Sequence, residues 1–557
     1  FQQVSPPSFL PPLRGFPLSL IIMISLLLSS TPRWAFNGLF EIFFFFSRIY
    51  FAIVNGLFSA YHALATTRVC VPPPSDDLLQ ISASQAARMI RDKEISSLEL
   101  ISAYIRRIEE VNHLINAVVE DNFADAKEKA RAADKEVDEA TPEQIAKMEK
   151  ERPLLGVPFT IKDCMEVEGL KCTYGVHHRK DVVAEKNAVV VQRMLESGAI
   201  CLCITNVPEV CMWWETVNTI YGRSRNPYDT RRITGGSSGG EAALVAAAGS
   251  LIGVGSDIGG SIRMPAFFNG VFGLKPTPGV IPLDGHLPPV SGYRTEMLRI
   301  GPICRYAADL PLLFKVMGGE AAEALRIDEP IAMGKLRVFY MEGLRHPLIE
   351  SPSSEMSYAL KRAVRYMEMK YDLAAVRVDF PLAHQAMDFF LTSMENKEQP
   401  AFNEILADYN GSVNCLLEMG KWLFGKSVHT FPALLVGLVD GVNPYPEEYK
   451  KRLLYKRDRL IRQMKDLLGE DGVLIFPSFC NPAPFHNQPV ATPFNFAYTG
   501  LFNALALPVM QCPMGLSSAG TPLGVQVVGA PRSERNLIAI AKDLEEGFGG
   551  WHKTEAY

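Results

Sequence analysis

Two stretches of the 557-residue chain combine residue types and spacing that could do chemistry: Thr234-Gly-Gly-Ser237-Ser-Gly-Gly240-Glu241 and Gly255-Ser-Asp257-Ile-Gly-Gly260-Ser261-Ile-Arg263-Met-Pro265. Each sets a serine among glycines, whose tolerance of positive φ lets several backbone N–H groups converge on one point. The amides of Ile258, Gly259, Gly260 and Ser261 are thereby suited to hold an oxyanion, worth roughly 3 kcal/mol per donor. Between the runs, Ala242–Leu251 has the Ala/Leu content of a buried helix. One such run alone would be a turn or a linker. Two runs bracketing an apolar helix point instead to a built site. The phosphate-loop and dinucleotide-binding glycine patterns are both absent. Gly235-x-Ser237-x-Gly239 does match a nucleophile elbow, which keeps an acid–histidine triad centred on Ser237 open. His286, His346, His384, His429, His486 and His552 lie downstream, none in a distinguishing context.

A serine without a histidine needs another base. Lys162 closes the apolar run Gly156-Val-Pro-Phe-Thr-Ile-Lys162. Burial disfavours an ammonium, so a lysine at the end of such a strand could accept a proton as the neutral amine. Taken alone it would be a strand-end surface lysine; its weight comes from the two serines. Asp257 and Arg263 suit a supporting ion pair that fixes the second loop.

These groups need a scaffold, and the pattern supplies an α/β one. Short β-rich runs at Leu155–Ile161, Ala199–Ile204, Leu336–Tyr340, Val473–Phe476 and Gly524–Val528 alternate with helical stretches at Val189–Ser197, Met356–Tyr371 and Lys450–Leu468. Ser96-Ser-Leu-Glu99 predicts a capping box ahead of a helix with Leu98, Ile101, Ile105 and Ile108 on one face. Ala124–Lys150 has the composition of a solvated helix. Phe431–Leu438 predicts a membrane-facing or pocket-gating helix, with a core helix as the alternative.

The N-terminal part is of another kind. No charged residue lies between Arg14 and Arg33, and Ser19–Leu28 reads SLIIMISLLL, close to the roughly 17–25 residues that cross a bilayer. A cleaved signal sequence is the competing reading. Phe43–Phe46 and Ile49–Leu64, broken by Glu41 and Arg48, predict an interfacial helix, and Pro72-Pro-Pro74 a linker. The organisation expected is therefore a transmembrane or signal-like segment over 1–33, a membrane-associated segment and linker over 34–75, and a catalytic domain over 76–557. The ten cysteines sit mostly in apolar runs without zinc-like spacing, which favours reduced thiols and a cytosol-facing body. No metal is expected. With 56 basic against 61 acidic residues the chain lacks the excess of positive charge that a nucleic-acid partner would require.

The core GGSSGGE with GSDIGGSIRMPAFFNG, together with Phe502–Val509 and Gly524–Gly529, resembles the amidase signature family, and the likeness runs from about Ser82 to the end of the chain. That resemblance implies a large mixed β-sheet covered on both sides by α-helices, and no cofactor. It assigns Lys162 as base, Ser237 as bridging serine and Ser261 as nucleophile, with the Ile258, Gly259, Gly260 and Ser261 amides as oxyanion hole. It also implies a cis peptide bond entering Ser237, and Cys211 and Met212 lining an acyl pocket. Joined to a membrane anchor, such a triad predicts a small-molecule lipid amide as substrate and the bilayer as partner. The expected place is a single-pass anchor with the body facing the cytosol, on an endomembrane or lipid droplet, and a homodimer stays open. Two alternatives stand beside this reading: the glutamine-using subunit of a transamidase, and a catalytically silent membrane scaffold.

Overall fold

The computed structural model describes residues 33–396, 398–440 and 445–554. Its frame is one eleven-stranded sheet. In chain order the strands are β1 (Val118–Asp121), β2 (Pro158–Lys162), β3 (Ile200–Thr205), β4 (Val217–Asn218), β5 (Gly222–Arg223), β6 (Ile252–Asp257), β7 (Phe272–Lys275), β8 (Arg299–Cys304), β9 (Arg337–Tyr340), β10 (Val376–Arg377), β11 (Gly472–Pro477), β12 (Val509–Leu516) and β13 (Pro522–Gly529). β4 and β5 form a separate hairpin, and the remainder are ordered β1-β3-β2-β6-β8-β7-β12-β13-β11-β9-β10.

The sheet is mixed. β3, β2 and β6 run parallel, as do β11, β9 and β10, while the strands from β6 through β8, β7, β12 and β13 to β11 pair antiparallel. Every residue of β2, β3, β6, β7, β8, β11 and β13 is buried. Successive side chains of a strand point to opposite faces, so burial of all of them means that helices cover both faces. The expected strand positions hold to within about three residues at either end, as do the three expected helices.

Local rules account for the helices that carry these strands. Ser96 caps the helix Ser97–Ile115, its side chain accepting from the Glu99 N–H at 3.0 Å. The stretch expected as one solvated helix is two, Phe123–Glu139 and Pro142–Glu151. Thr141 and Gln144 start the second with a capping box and Pro142 at its first position. The first is not wholly solvated, because Ala126, Ala130, Ala133 and Val137 form a buried stripe.

The expected span at Ser19–Leu28 lies outside the described residues. The aromatic stretch after it forms a single 33-residue helix, Arg33–Ala65, and Glu41 and Arg48 do not break it. Glu41 stays in the helix because Arg345 of the body takes its carboxylate at 2.5 Å. One side of the helix docks. Phe51 and Val54 are buried, His62 stacks on Phe485 with ring centroids 4.3 Å apart, and Asn55 donates to Glu350 at 2.6 Å while accepting from Gln488 at 2.6 Å. The other side leaves Ile42, Phe45, Phe46, Ile53, Leu57 and Leu64 exposed. Among the described residues, Phe40–Ala65 is the one helix long and apolar enough to cross a membrane. The proline segment that follows is held to the body: Val71 is buried, and Pro72 accepts from Arg107 at 2.5 Å.

Candidate active site

Lys162 stands at the carboxyl end of β2, and the loop after β6 begins at the carboxyl end of its parallel neighbour. In α/β sheets the crevice beyond the strand ends is where polar groups can converge on a ligand. The first serine run lies there too, because helix Gly239–Ala246, with all eight residues buried, starts directly behind it. The helix is shorter than the expected Ala242–Leu251, turning out at Ala247 to feed β6.

The Lys162 side-chain nitrogen is fully buried, 2.7 Å from Ser237 Oγ. It also reaches Ser256 Oγ at 2.9 Å and the Ser256 carbonyl at 3.4 Å. The peptide bond entering Ser237 is cis. Ser238 sews the two serine runs together: its N–H donates to the Ser261 carbonyl at 3.1 Å, and its hydroxyl meets the Ser256 backbone on both sides, carbonyl at 3.2 Å and N–H at 3.3 Å. Ser237 and Ser261 are thus carried on loops that lie side by side, both nearly buried.

Asp257 shapes the second loop. Its carboxylate accepts from the Gly260 N–H at 2.7 Å, from Ile262 at 3.2 Å, and from Arg263 Nε and Nη2 at 2.9 and 3.1 Å. Arg263 spends its other donors on Thr499 O, Gln526 Oε1 and Asn503 Oδ1, so all five find acceptors although the side chain is wholly buried. Burial works against the Asp257 charge, but Arg263, with Lys275 and the Asn503 amide, wins and holds the carboxyl well below its ordinary range. The expected ion pair is present. Of the four amides assigned to an oxyanion hole, that of Gly260 is engaged by Asp257. Gly260 has φ +122°, and a Cβ there would come 2.0 Å from Thr499 Oγ1, so any side chain at this point strains the loop and forces Thr499 to move.

Behind β2 lies a second acidic group. Glu241 is fully buried between Thr160 and Thr205, whose hydroxyls bond its two oxygens, the second at 2.5 Å. Burial pushes its carboxyl up to about 8 against the pull of those bonds. Asp163, bonded by the Thr173 N–H at 2.7 Å and hydroxyl, is pushed by burial up to about 7.

Cys211 and Met212 sit on the turn that follows Pro208. Val210 and Cys211 both take positive φ there, and Glu209 anchors the turn to His429 Nδ1 at 2.7 Å and to Thr430. The turn abuts the first serine run, since a Cβ on Gly236 would come 2.5 Å from the Trp213 carbonyl. Cys211 is buried, which raises its thiol; Met212 is half-buried. Helix Phe431–Val439 is half-buried as well. The exposed apolar face belongs to its neighbour Cys415–Leu423 and the residue beyond it, where Leu416, Leu417, Leu423 and Phe424 stand out. None of the ten cysteines is in a disulfide. Ser238, Ser256 and His286 are polar residues of this site that the sequence did not single out.

A family model described as Amidase matches residues 99–538. The chain belongs to the amidase family. As an amidase of the signature type it is an amide hydrolase, and two groups stand among its relatives. Human fatty-acid amide hydrolase 2 is 40% identical over 488 residues, covering 86% of this chain and 91% of its own. The Danio rerio protein fatty-acid amide hydrolase 2-A is 40% identical over 521 residues, covering 91% and 97%. In the second group, a glutamyl-tRNA(Gln) amidotransferase subunit from Thermoanaerobacter pseudethanolicus is 26% identical over 499 residues, covering 84% and 97%. Among solved structures, a fatty acid amide hydrolase superposes with TM-score 0.68 at 22% identity, covering 90% of this chain and 89% of that one, which shows the fold.

Proposed function

We propose that this amidase hydrolyses amides of long-chain fatty acids at a membrane surface through an acyl-enzyme on Ser261. The observation that carries the reading is the buried Lys162 nitrogen 2.7 Å from Ser237 Oγ, on a loop tied by Ser238 to the one bearing Ser261. Neutral Lys162 takes the Ser237 proton as Ser237 takes that of Ser261. Ser261 Oγ bonds to the carbonyl carbon, and the oxyanion is held by the amides of Ile258, Gly259 and Ser261, with that of Gly260 shared with Asp257. Collapse breaks the C–N bond, the leaving amine collecting the proton through Ser237 from Lys162. Water then attacks the ester by the same relay and releases the acid.

Two features support an acyl chain as the recognised part. The relatives named for fatty-acid amides share 40% of their residues with this chain across most of its length. Phe390 and Phe496, with ring centroids 4.9 Å apart, lie over Gly259, where an added Cβ would be 3.1 Å from Phe390, so a chain leaving the carbonyl there would run along aromatic carbon. The exposed apolar sides of Arg33–Ala65 and Cys415–Leu423 support delivery from a bilayer. Cys211 and Met212 are assigned to the wall of the same pocket.

Labelling with a fluorophosphonate, followed by mass spectrometry of the labelled peptide, tests the nucleophile. Label on Ser261, absent from S261A, is expected; label on Ser237, or undiminished activity of S261A, overturns it. Membrane fractions should release free acid from a long-chain primary acyl amide. Hydrolysis of glutamine in its place would move the chain to the amidotransferase branch.

A further inference from the structure

Lys162 has a second neighbour that the proton relay does not use. Ser256 Oγ, 2.9 Å from the Lys162 nitrogen, is also 2.9 Å from His286 Nε2, and Cys164 Sγ lies 3.6 Å from that oxygen and 3.4 Å from that ring nitrogen. All four residues are buried. His286 reaches this place because its loop folds back over the end of β2, where it pairs with Met165 in an isolated bridge and Leu287 N–H donates to the Cys164 carbonyl at 2.7 Å. Among the described residues Nδ1 of His286 has no partner, so Ser256 and Cys164 are the polar contacts of the ring. A histidine kept only to brace the loop would be expected to use both nitrogens.

We propose that His286 is a positioning residue for the Lys162 amine, acting through Ser256; the proposal rests on the reading of Lys162 as the base. A neutral amine has two N–H donors and one lone pair. It can take the Ser237 proton only if the lone pair faces Ser237, which requires its N–H groups to point elsewhere. The Ser256 hydroxyl and carbonyl are the acceptors at hand. Ser256 can serve as acceptor to Lys162 only while its own proton points away, and His286 Nε2 is the nearer place to send it. With that bond made, Lys162 N–H donates to Ser256, Ser256 O–H donates to His286, and the lone pair is left on Ser237. When Lys162 gains its proton the same contacts accept the ammonium without rearrangement.

An imidazolium at position 286 reverses this. Nε2–H becomes an obligatory donor to Ser256, whose proton is then free to turn onto the Lys162 lone pair and block the relay. The titratable groups facing the ring are Lys162 and Cys164, with Cys211 and Asp163 beyond Cys164. Neutral His286, with Nε2 free to accept, is therefore the competent form.

Kinetics on the full chain in detergent, with a long-chain acyl amide, test this. H286L is expected to lower kcat about tenfold with KM unchanged, the effect of losing one hydrogen bond to a group that becomes charged. H286Q, whose amide oxygen can accept, should recover most of that loss. S256A should lower kcat similarly, and H286L added to S256A should cost little more, because both act on one contact. Multiplicative losses, or a kcat of H286L equal to that of the parent, would overturn the proposal. H286Q keeps it testable should H286L fail to fold. K162A separates the two readings. If K162A retains activity, the base assignment is what fails; if K162A is inactive and the histidine variants are normal, only the positioning role fails.

Discussion

Substituting Glu241 by glutamine removes a titration and little else, which makes it the most direct probe of how the core behind Lys162 is built. The carboxyl lies between Thr160 of β2 and Thr205 of β3, wholly buried, with no cation bonded to it among the described residues. Its rise from 4.5 to about 8 means that between these values the folded protein keeps a proton that the unfolded chain has released. Stability is then fully present below 4.5 and declines as pH rises through about 8. At about 1.36 kcal/mol per pH unit the full loss is about 5 kcal/mol, and relaxation around the ionised group makes this an upper bound. At about 2.1 cal/mol/K per residue, a chain of this length turns that bound into a fall in Tm of at most about 4 °C between about pH 5 and about pH 9. E241Q carries an amide N–H where the acid carried O–H and should match the parent at the acid end within about 1 kcal/mol. The readout is the parent-minus-variant Tm in detergent, at one scan rate because unfolding of so large a protein is irreversible. Asp163 titrates in both proteins and cancels. A difference that stays constant across the range would refute the protonated-carboxyl reading.

Other perturbations have equally definite outcomes. R263K should destabilise the protein by about 3 kcal/mol and impair activity, because an ammonium cannot reach Asp257, Thr499, Gln526 and Asn503 together; an unchanged melting curve would contradict this. G260A should lower kcat about thirtyfold while the protein still folds, since φ +122° and the Thr499 contact impose about 2 kcal/mol of strain on the loop; it is read by active-site titration with a fluorophosphonate. Replacing Phe46, Ile53 and Leu57, all on one exposed side of Arg33–Ala65, by serine should weaken binding to lipid vesicles by about 2 kcal/mol per residue in a flotation assay. Hydrolysis of a short soluble amide should be left intact.

How much of this was legible in the sequence depended on whether a residue's role is set by its neighbours in the chain. The β-branched and aromatic runs that became β2, β3, β9, β11 and β13 were readable because the pattern and the fold agree. β6 was not. Ile-Gly-Val-Gly-Ser-Asp has glycine at alternate positions and reads as a turn, yet Gly253 is required there because a Cβ would stand 2.8 Å from the Glu241 side chain. The glycine that hides the strand makes room for the buried acid. Lys162, Ser237 and Ser261 were singled out from their settings; the first two meet as a direct contact, and Ser238 ties the loop of the third beside them. His286 was passed over because nothing beside it in sequence marks it; only the return of its loop onto β2 brings it to Ser256. Glu41 looked like a break in an apolar helix for the same reason, its partner Arg345 being distant in the chain.

Three buried acids border the serine loops, and the fold treats them in two ways. Asp257 receives a guanidinium and three amide N–H donors from its own loop, and stays ionised, which is what fixes the loop's course. Asp163 and Glu241 receive hydroxyls and, for Asp163, one amide, but no guanidinium, and burial drives both toward the neutral acid near pH 7. The difference has a chemical consequence. A carboxylate close to an amine favours the amine's charged form, whereas a protonated carboxyl in the same place does not. Had either position carried an arginine partner, Lys162 would face a fixed negative charge across β2. A paired guanidinium thus goes to the loop that carries Ser261, while threonines surround the two acids near Lys162, so the charge that fixes the loop's shape is kept apart from the amine proposed as the base.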